Sequence, residues 1–167
     1  MAITLNDNVQ INAPKVLDNK YMKFSGGTTQ PWASSAEAVT NILSAYRYQY
    51  LTVLCLMNGD PVEYWWRTGT ADGNLETKSK ESYTFNSSSS ITLTTGYLYD
   101  RIIVLPANNL TNLIIGTTNG GNDIEPGTPV TGGDVYTLSY PQYINASTTL
   151  YFGNLATGTK ILLYKTF

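Results

Sequence analysis

The chain has 167 residues and no histidine. That removes the commonest general base, the commonest metal ligand and any Ser-His or Cys-His dyad. The single cysteine, Cys55, sits within the apolar run 51–57 and reads as a small buried hydrophobe, not a reactive thiol. One cysteine also allows no disulfide within the chain. Carboxylates remain. Glycoside hydrolysis needs two of them a few ångströms apart, and Glu63, Asp72 and Glu76 are candidates, but twelve acids in any β protein supply some pair by chance. Asp123 and Glu125 flank Ile124 and share one face of an extended segment, so with Asp134 they offer hard oxygens to calcium. Their spacing fits no calcium loop of defined geometry, and they read as solvated loop acids. Gly120-Gly121 is not a phosphate loop, since no Lys-Ser/Thr follows. Asn86-Ser87-Ser88, Asn109-Leu110-Thr111 and Asn145-Ala146-Ser147 fit the N-glycosylation pattern but stand without a visible secretory signal. This reading assigns no catalytic residue, no cofactor and no metal.

What the residues do offer is rings. Thirteen tyrosines and three tryptophans supply rigid amphipathic surface of the kind used in subunit interfaces and recognition sites. Any single ring reads as core, but Tyr64, Trp65 and Trp66 are consecutive. On a strand they cannot all face one way, so at least one points away from whatever the others bury, and an exposed apolar patch marks a contact surface. The triplet as a set is therefore expected at a subunit interface, with Tyr46 and Tyr48 beside it. Tyr46, Tyr48 and Tyr50 alternate as the chain enters the next strand, and read as half-buried packing residues more than as a ligand platform.

These rings must be positioned by a small set of elements. Residues 51–57 read as a strand, Asn58-Gly59 as a tight hairpin turn whose central residues need positive φ, and residues 62–67 as the returning strand. Pro61 falls just after the turn, where a missing N–H costs least. Before the hairpin, residues 33–45 form the one helix. Ser34 and Glu37 match a capping box, and Ala36, Val39, Ile42 and Leu43 recur at helical spacing to face the hairpin. Residues 1–31 lack a period yet carry Val16, Leu17, Tyr21, Met22 and Phe24. They are expected to form an extended arm lying against either a neighbouring subunit or its own domain, and Val16, Leu17 and Tyr21 join the interface candidates.

The run 76–81, ETKSKE, reads as a solvated face or linker and marks a domain boundary. Beyond it, short apolar stretches at 83–85, 91–95, 101–105, 112–117, 135–139, 148–152 and 160–164 recur about every ten residues between Ser, Asn, Gly and Pro clusters. That is the pattern of a sandwich or jelly roll. The strands at 101–105 and 161–163 are the most continuously apolar and are placed at the sheet centres. Residues 119–133 read as an exposed loop. The predicted architecture is mainly β with one short helix: an arm (1–31), a helix-plus-hairpin domain for attachment or trimerisation (32–80), and a jelly-roll-like β-sandwich head (81–167).

Composition narrows the function classes. The formal net charge is −2 and only 13% of residues are charged, against a nucleic-acid footprint, which needs clustered Lys and Arg. The longest apolar run is too short to span a bilayer, and the opening residues show no signal peptide.

The segments 11–22 and 31–78 resemble a pattern common in structural proteins of tailed bacteriophages infecting Bacteroides-type gut bacteria. In it a KPLD arm precedes a short SxAEA helix, an R-Y-x-x-LTV strand, an NG turn, a VEYW strand and a D-x-x-L-x-x-K exit. Here the matches are Lys15 to Asp18, Ser35 to Ala38, Arg47 to Val53, Asn58-Gly59, Val62 to Trp65 and Asp72 to Lys78, with Val16 where proline is usual. The second half, from IIVLPANNLTNLIIG to TLYFGNLATGTKILLYK, is similar to the β-domain closing such fibre proteins. The resemblance implies a non-enzymatic virion protein, a homotrimeric head fibre or capsid-decoration protein, assembled in the host cytoplasm. The alternative is a tail fibre or receptor-binding protein with a carbohydrate-binding β-sandwich. The implied partners are copies of itself, other virion proteins such as major capsid or fibre components, and host-surface glycan, with no nucleic acid and no membrane insertion.

Overall fold

Local chemistry starts the fold where the sequence places it. In the computed structural model, which describes residues 31–167, helix α1 spans Ser35–Asn41 with Ser34 as its N-cap. The Ser34 hydroxyl accepts from the Glu37 N–H at 3.1 Å, and the Glu37 carboxylate reaches back to the Ala33 N–H at 2.6 Å, a reciprocal pair that satisfies donors the first turn leaves open. The helix is shorter than the sequence suggests because Ile42 is already extended. Its buried side is therefore Ala38 and Ile42, with Val39 partly buried, whereas Ala36 and Leu43 face outward.

Strands β1 (Thr52–Met57) and β2 (Asp60–Trp66) form the hairpin, joined through Asn58 and Gly59 at φ 52 and 85. β3 (Leu75–Thr77) pairs with β2 to complete a three-stranded sheet, and Trp32 adds a parallel bridge to Cys55. Alternation along the hairpin puts Val53, Cys55, Val62, Tyr64 and Trp66 on one face, where they meet Trp32, Ala38, Ile42 and Leu51 in one small core.

Eight more strands follow: β4 (Lys80–Phe85), β5 (Ser89–Leu93), β6 (Leu98–Leu105), β7 (Leu110–Gly116), β8 (Glu125–Val130), β9 (Tyr136–Tyr143), β10 (Thr148–Gly153) and β11 (Thr159–Thr166). They build two antiparallel sheets in the orders β4-β11-β6-β9 and β5-β10-β7-β8. Apart from the β7–β8 pair, successive strands thus alternate between two facing sheets as in a jelly roll. The chain is mainly β with one short helix, a helix-plus-hairpin unit followed by a jelly-roll sandwich. β6 and β11 are the two inner strands of their sheet, as their apolar runs predict.

Two features depart from the sequence reading. Part of the expected loop 119–133 is strand β8, which carries Pro126, Gly127 and Pro129. It is tolerated because β8 is an edge strand with one partner and an irregular register, where a proline costs no ladder bond on the open side. The second is a bulge at Asp100, skipped in the pairing of β6 with both neighbours. Before it Tyr97 and Tyr99 point inward; after it Ile102 and Val104 do. The extra residue flips the parity and keeps Arg101 outside, over the Tyr164 ring at 4.4 Å.

Candidate functional site at the seam between the two units

The aromatic triplet resolves by alternation. Tyr64 and Trp66 point into the first unit's core, and Trp66 is 0% exposed. Trp66 carries Arg47 on its ring at 5.1 Å. The Arg47 guanidinium also donates to the Ile42 carbonyl at 2.8 Å and the Val39 carbonyl at 2.6 Å, and pairs with Asp72. One buried cation therefore satisfies carbonyls at the C-terminal end of α1 and fixes the hairpin face beneath it. This corrects the interface expectation for Tyr64 and Trp66: a single chain encloses them, so neither ring offers contact surface.

Trp65, the ring on the other face, meets the jelly roll. Its indole N–H donates to the Tyr97 hydroxyl at 2.8 Å, and that hydroxyl donates on to the Glu76 carboxylate at 3.1 Å. Around Trp65 lie Tyr50 at 5.7 Å and Phe167 at 6.1 Å between ring centroids. Phe167 also meets Tyr97 edge-on at 6.2 Å, with the Arg67 guanidinium 4.2 Å over its ring. Tyr50 and Phe167 are open, at 55% and 76% exposure. Tyr46 is half-buried in a 3-10 turn and Tyr48 is exposed. Tyr50 has positive φ and does not continue an alternating strand, so the half-buried reading fails for Tyr48 and Tyr50. Val16, Leu17 and Tyr21 lie outside the described residues, as does the arm up to residue 30.

The run ETKSKE is not a solvated linker. Its last residue, Glu81, is buried with Lys165 at 2.6 Å, their side chains 3% and 0% exposed. The same carboxylate accepts from Thr77, Thr94 and Tyr99 on one oxygen and from Tyr83 on the other, at 2.9–3.3 Å. The Lys165 ammonium also lies 4.1 Å over the Tyr97 ring. Desolvation pushes the Glu81 carboxyl upward, but Lys165 and the hydroxyls outweigh it and hold the group below the usual carboxylate range. Burial and the Glu81 charge push the Tyr83 and Tyr99 hydroxyls upward, so both remain donors. Burial also drives Tyr97 to about 12 and Cys55 to about 12, leaving Cys55 an inert thiol. At the other end of the seam the hairpin tip is fastened to the jelly roll. Asp60 pairs with Lys160 at 3.0 Å and accepts from the Ser82 hydroxyl, and the Asn58 amide donates to the Ser82 carbonyl at 2.6 Å.

The carboxylates considered for chemistry are engaged separately. Glu63 pairs with Lys78, Asp72 with Arg47 and Glu76 with Arg67. Asp123 accepts from the backbone N–H and hydroxyl of Thr117. Glu125, expected in a solvated loop, is buried and accepts from Thr128 and Tyr136, each at 2.5 Å. Among the described residues no three Cys, Asp or Glu side chains gather as a metal site. Sequence reasoning missed Glu81, Lys165 and Arg47 as organising residues. The one signal for the first pair was that Lys165 continues the inward alternation of Ile161 and Leu163.

No family model and no curated protein matches the chain. Among solved structures it is similar to a solution NMR structure of a de novo designed double-stranded β-helix. Identity is 12%, the match covers 52% of this chain and 96% of that one, and the TM-score is 0.29.

Proposed function

We propose that this protein is a non-enzymatic structural component of a tailed-bacteriophage virion, a homotrimeric head fibre or capsid-decoration protein whose jelly roll is displayed outward. The observation that carries the reading is the open aromatic edge at the seam. Tyr50 and Phe167 flank Trp65 there, and Leu98 pairs with both Thr166 and Tyr143 at the same end of the sandwich. Phe167, Tyr143 and Tyr50 are each more than half exposed. Rings of this size left in solvent around a rigid, ion-paired frame suit a surface completed by another copy of the chain. The resemblance of residues 11–22 and 31–78 to phage structural proteins supplies the setting. Other virion proteins are the further partners, and host-surface glycan is a partner of the displayed head.

Sedimentation or native mass measurement of the full chain at micromolar concentration tests the assembly. The expected species is three times the 18.3 kDa chain, shifting toward monomer when Phe167 and Tyr50 are both replaced by serine. A stable monomer at that concentration overturns the trimer.

A further inference from the structure

The jelly roll carries a second feature, which shares no lining residue with the aromatic seam. On the outer side of the β5-β10-β7-β8 sheet lies an open cleft of about 420 Å³. Its floor is set by alternation along β10. Leu150 and Phe152 point into the core, so Tyr151 stands on the opposite face. Tyr151 is flanked by the small residues Ser90 on β5 and Gly116 on β7, with Ile114 beside it over Gly153, and its side chain stays partly exposed. The turn before β5 contributes Ser88, the β7–β8 loop contributes Asn119 and Gly120, and the end of β10 contributes Asn154.

The walls are fixed from behind. The Asp123 carboxylate ties the loop to Thr117, and the Gly121 N–H donates to the Thr118 carbonyl at 2.9 Å. Gly116 lets that loop close in, since a Cβ there would stand 2.4 Å from the Gly121 carbonyl carbon. Asn154 sits at φ 59, a left-handed backbone that asparagine tolerates better than most residues. Its N–H donates to the Ser88 hydroxyl at 3.0 Å and its side-chain amide donates to the Asn112 carbonyl at 2.8 Å. The amide oxygen accepts no hydrogen bond among the described residues. No hydrogen bond among the described residues occupies the side chains of Ser90, Asn119 or Tyr151.

We infer that this cleft is a binding site for a neutral saccharide, which stacks the C–H face of a sugar ring on Tyr151 and shares its hydroxyls with Asn119, Asn154, Ser88 and Ser90. No lining side chain is charged, so nothing in the cleft recognises a phosphate, a sulfate or a uronic or sialic carboxylate. One ring with several amide and hydroxyl groups in an open, preformed hollow meets the needs of a ligand that has both an apolar face and a dense set of hydroxyls. The inference names the site and ligand class for the host-glycan partner proposed above; sugar binding and the oligomeric state are read separately, so either can fail alone.

The test is an array of immobilised neutral glycans (glucans, mannans, galactans and N-acetylglucosamine oligomers) with sialylated and uronic-acid glycans as controls, probed with the full chain. Binding to at least one neutral class is expected, unchanged between low and high salt. It should weaken about tenfold in Tyr151→Ala and remain in Tyr151→Phe, which keeps the stacking face. Ser90→Trp fills the cleft from an exposed position without touching the core and should also abolish binding, which keeps the test decisive if Tyr151→Ala does not fold. Silence across the neutral glycans, binding confined to acidic ones, or binding unchanged in Ser90→Trp overturns the inference.

Discussion

Glu81 and Lys165 carry the heaviest physical demand of any residues described. Burying two opposite charges is repaid only when geometry is good and the remaining lone pairs are used, and here four hydroxyls complete the carboxylate's shell. Lys165→Met leaves Glu81 charged and buried, and should cost about 3–5 kcal/mol in urea unfolding. Pairing it with Glu81→Gln removes both charges and keeps an acceptor for the hydroxyls, so the double variant should be more stable than Lys165→Met alone. Equal stability would show that charge burial is not the dominant effect. The pH dependence has a definite sign. Because the folded Glu81 carboxyl is held below its ordinary value of about 4.3, the unfolded chain binds the proton first. The stability from this group is therefore complete above the ordinary value and is lost as pH falls through the lower, folded one. A melting-temperature series from neutral to acid pH should fall less steeply in Glu81→Gln than in the wild type, with Asp60 and Asp123, also held low, keeping their share.

At the scale of elements, the hairpin is the piece most fully specified by local chemistry. Gly59 adopts φ 85 with open space where a Cβ would stand, so Gly59→Ala isolates backbone strain from sterics and should cost about 1–2 kcal/mol. A neutral result in thermal unfolding would mean that the turn relaxes to another type. The hairpin, the Ser34 cap and the central strands β6 and β11 were legible in the sequence because their signals lie within a few residues of one another. β8 was not, because Pro126 and Gly127 are strand breakers everywhere except on an edge, and edge position depends on the whole sheet. The parity flip at Asp100 leaves no mark in composition. The inward charge of Glu81 was hidden because its partner lies 84 residues away, so a run of alternating charges reads as solvent-facing until the sheet brings β4 beside β11. Arg47 was missed for a similar reason: its work is to cap α1 and cover Trp66, contacts that only the folded unit creates.

At the scale of the whole molecule, the triplet of rings divides its labour differently from the sequence reading. Trp66 and Tyr64 hold the first unit together, Trp65 joins it to the jelly roll, and the open rings are Tyr50, Tyr143 and Phe167 at the rim. Two units fastened by Asp60–Lys160 at one end and by the Trp65–Tyr97–Glu76 chain at the other make a stiff body suited to a mechanical role. The proposed virion role requires the protein to lie on a particle surface, and immunogold electron microscopy of purified virions with an antibody against the full chain tests it most directly. Gold at regular positions on intact particles is the predicted result. Unlabelled particles, with all of the antigen in the soluble fraction of the infected-cell lysate, would contradict it.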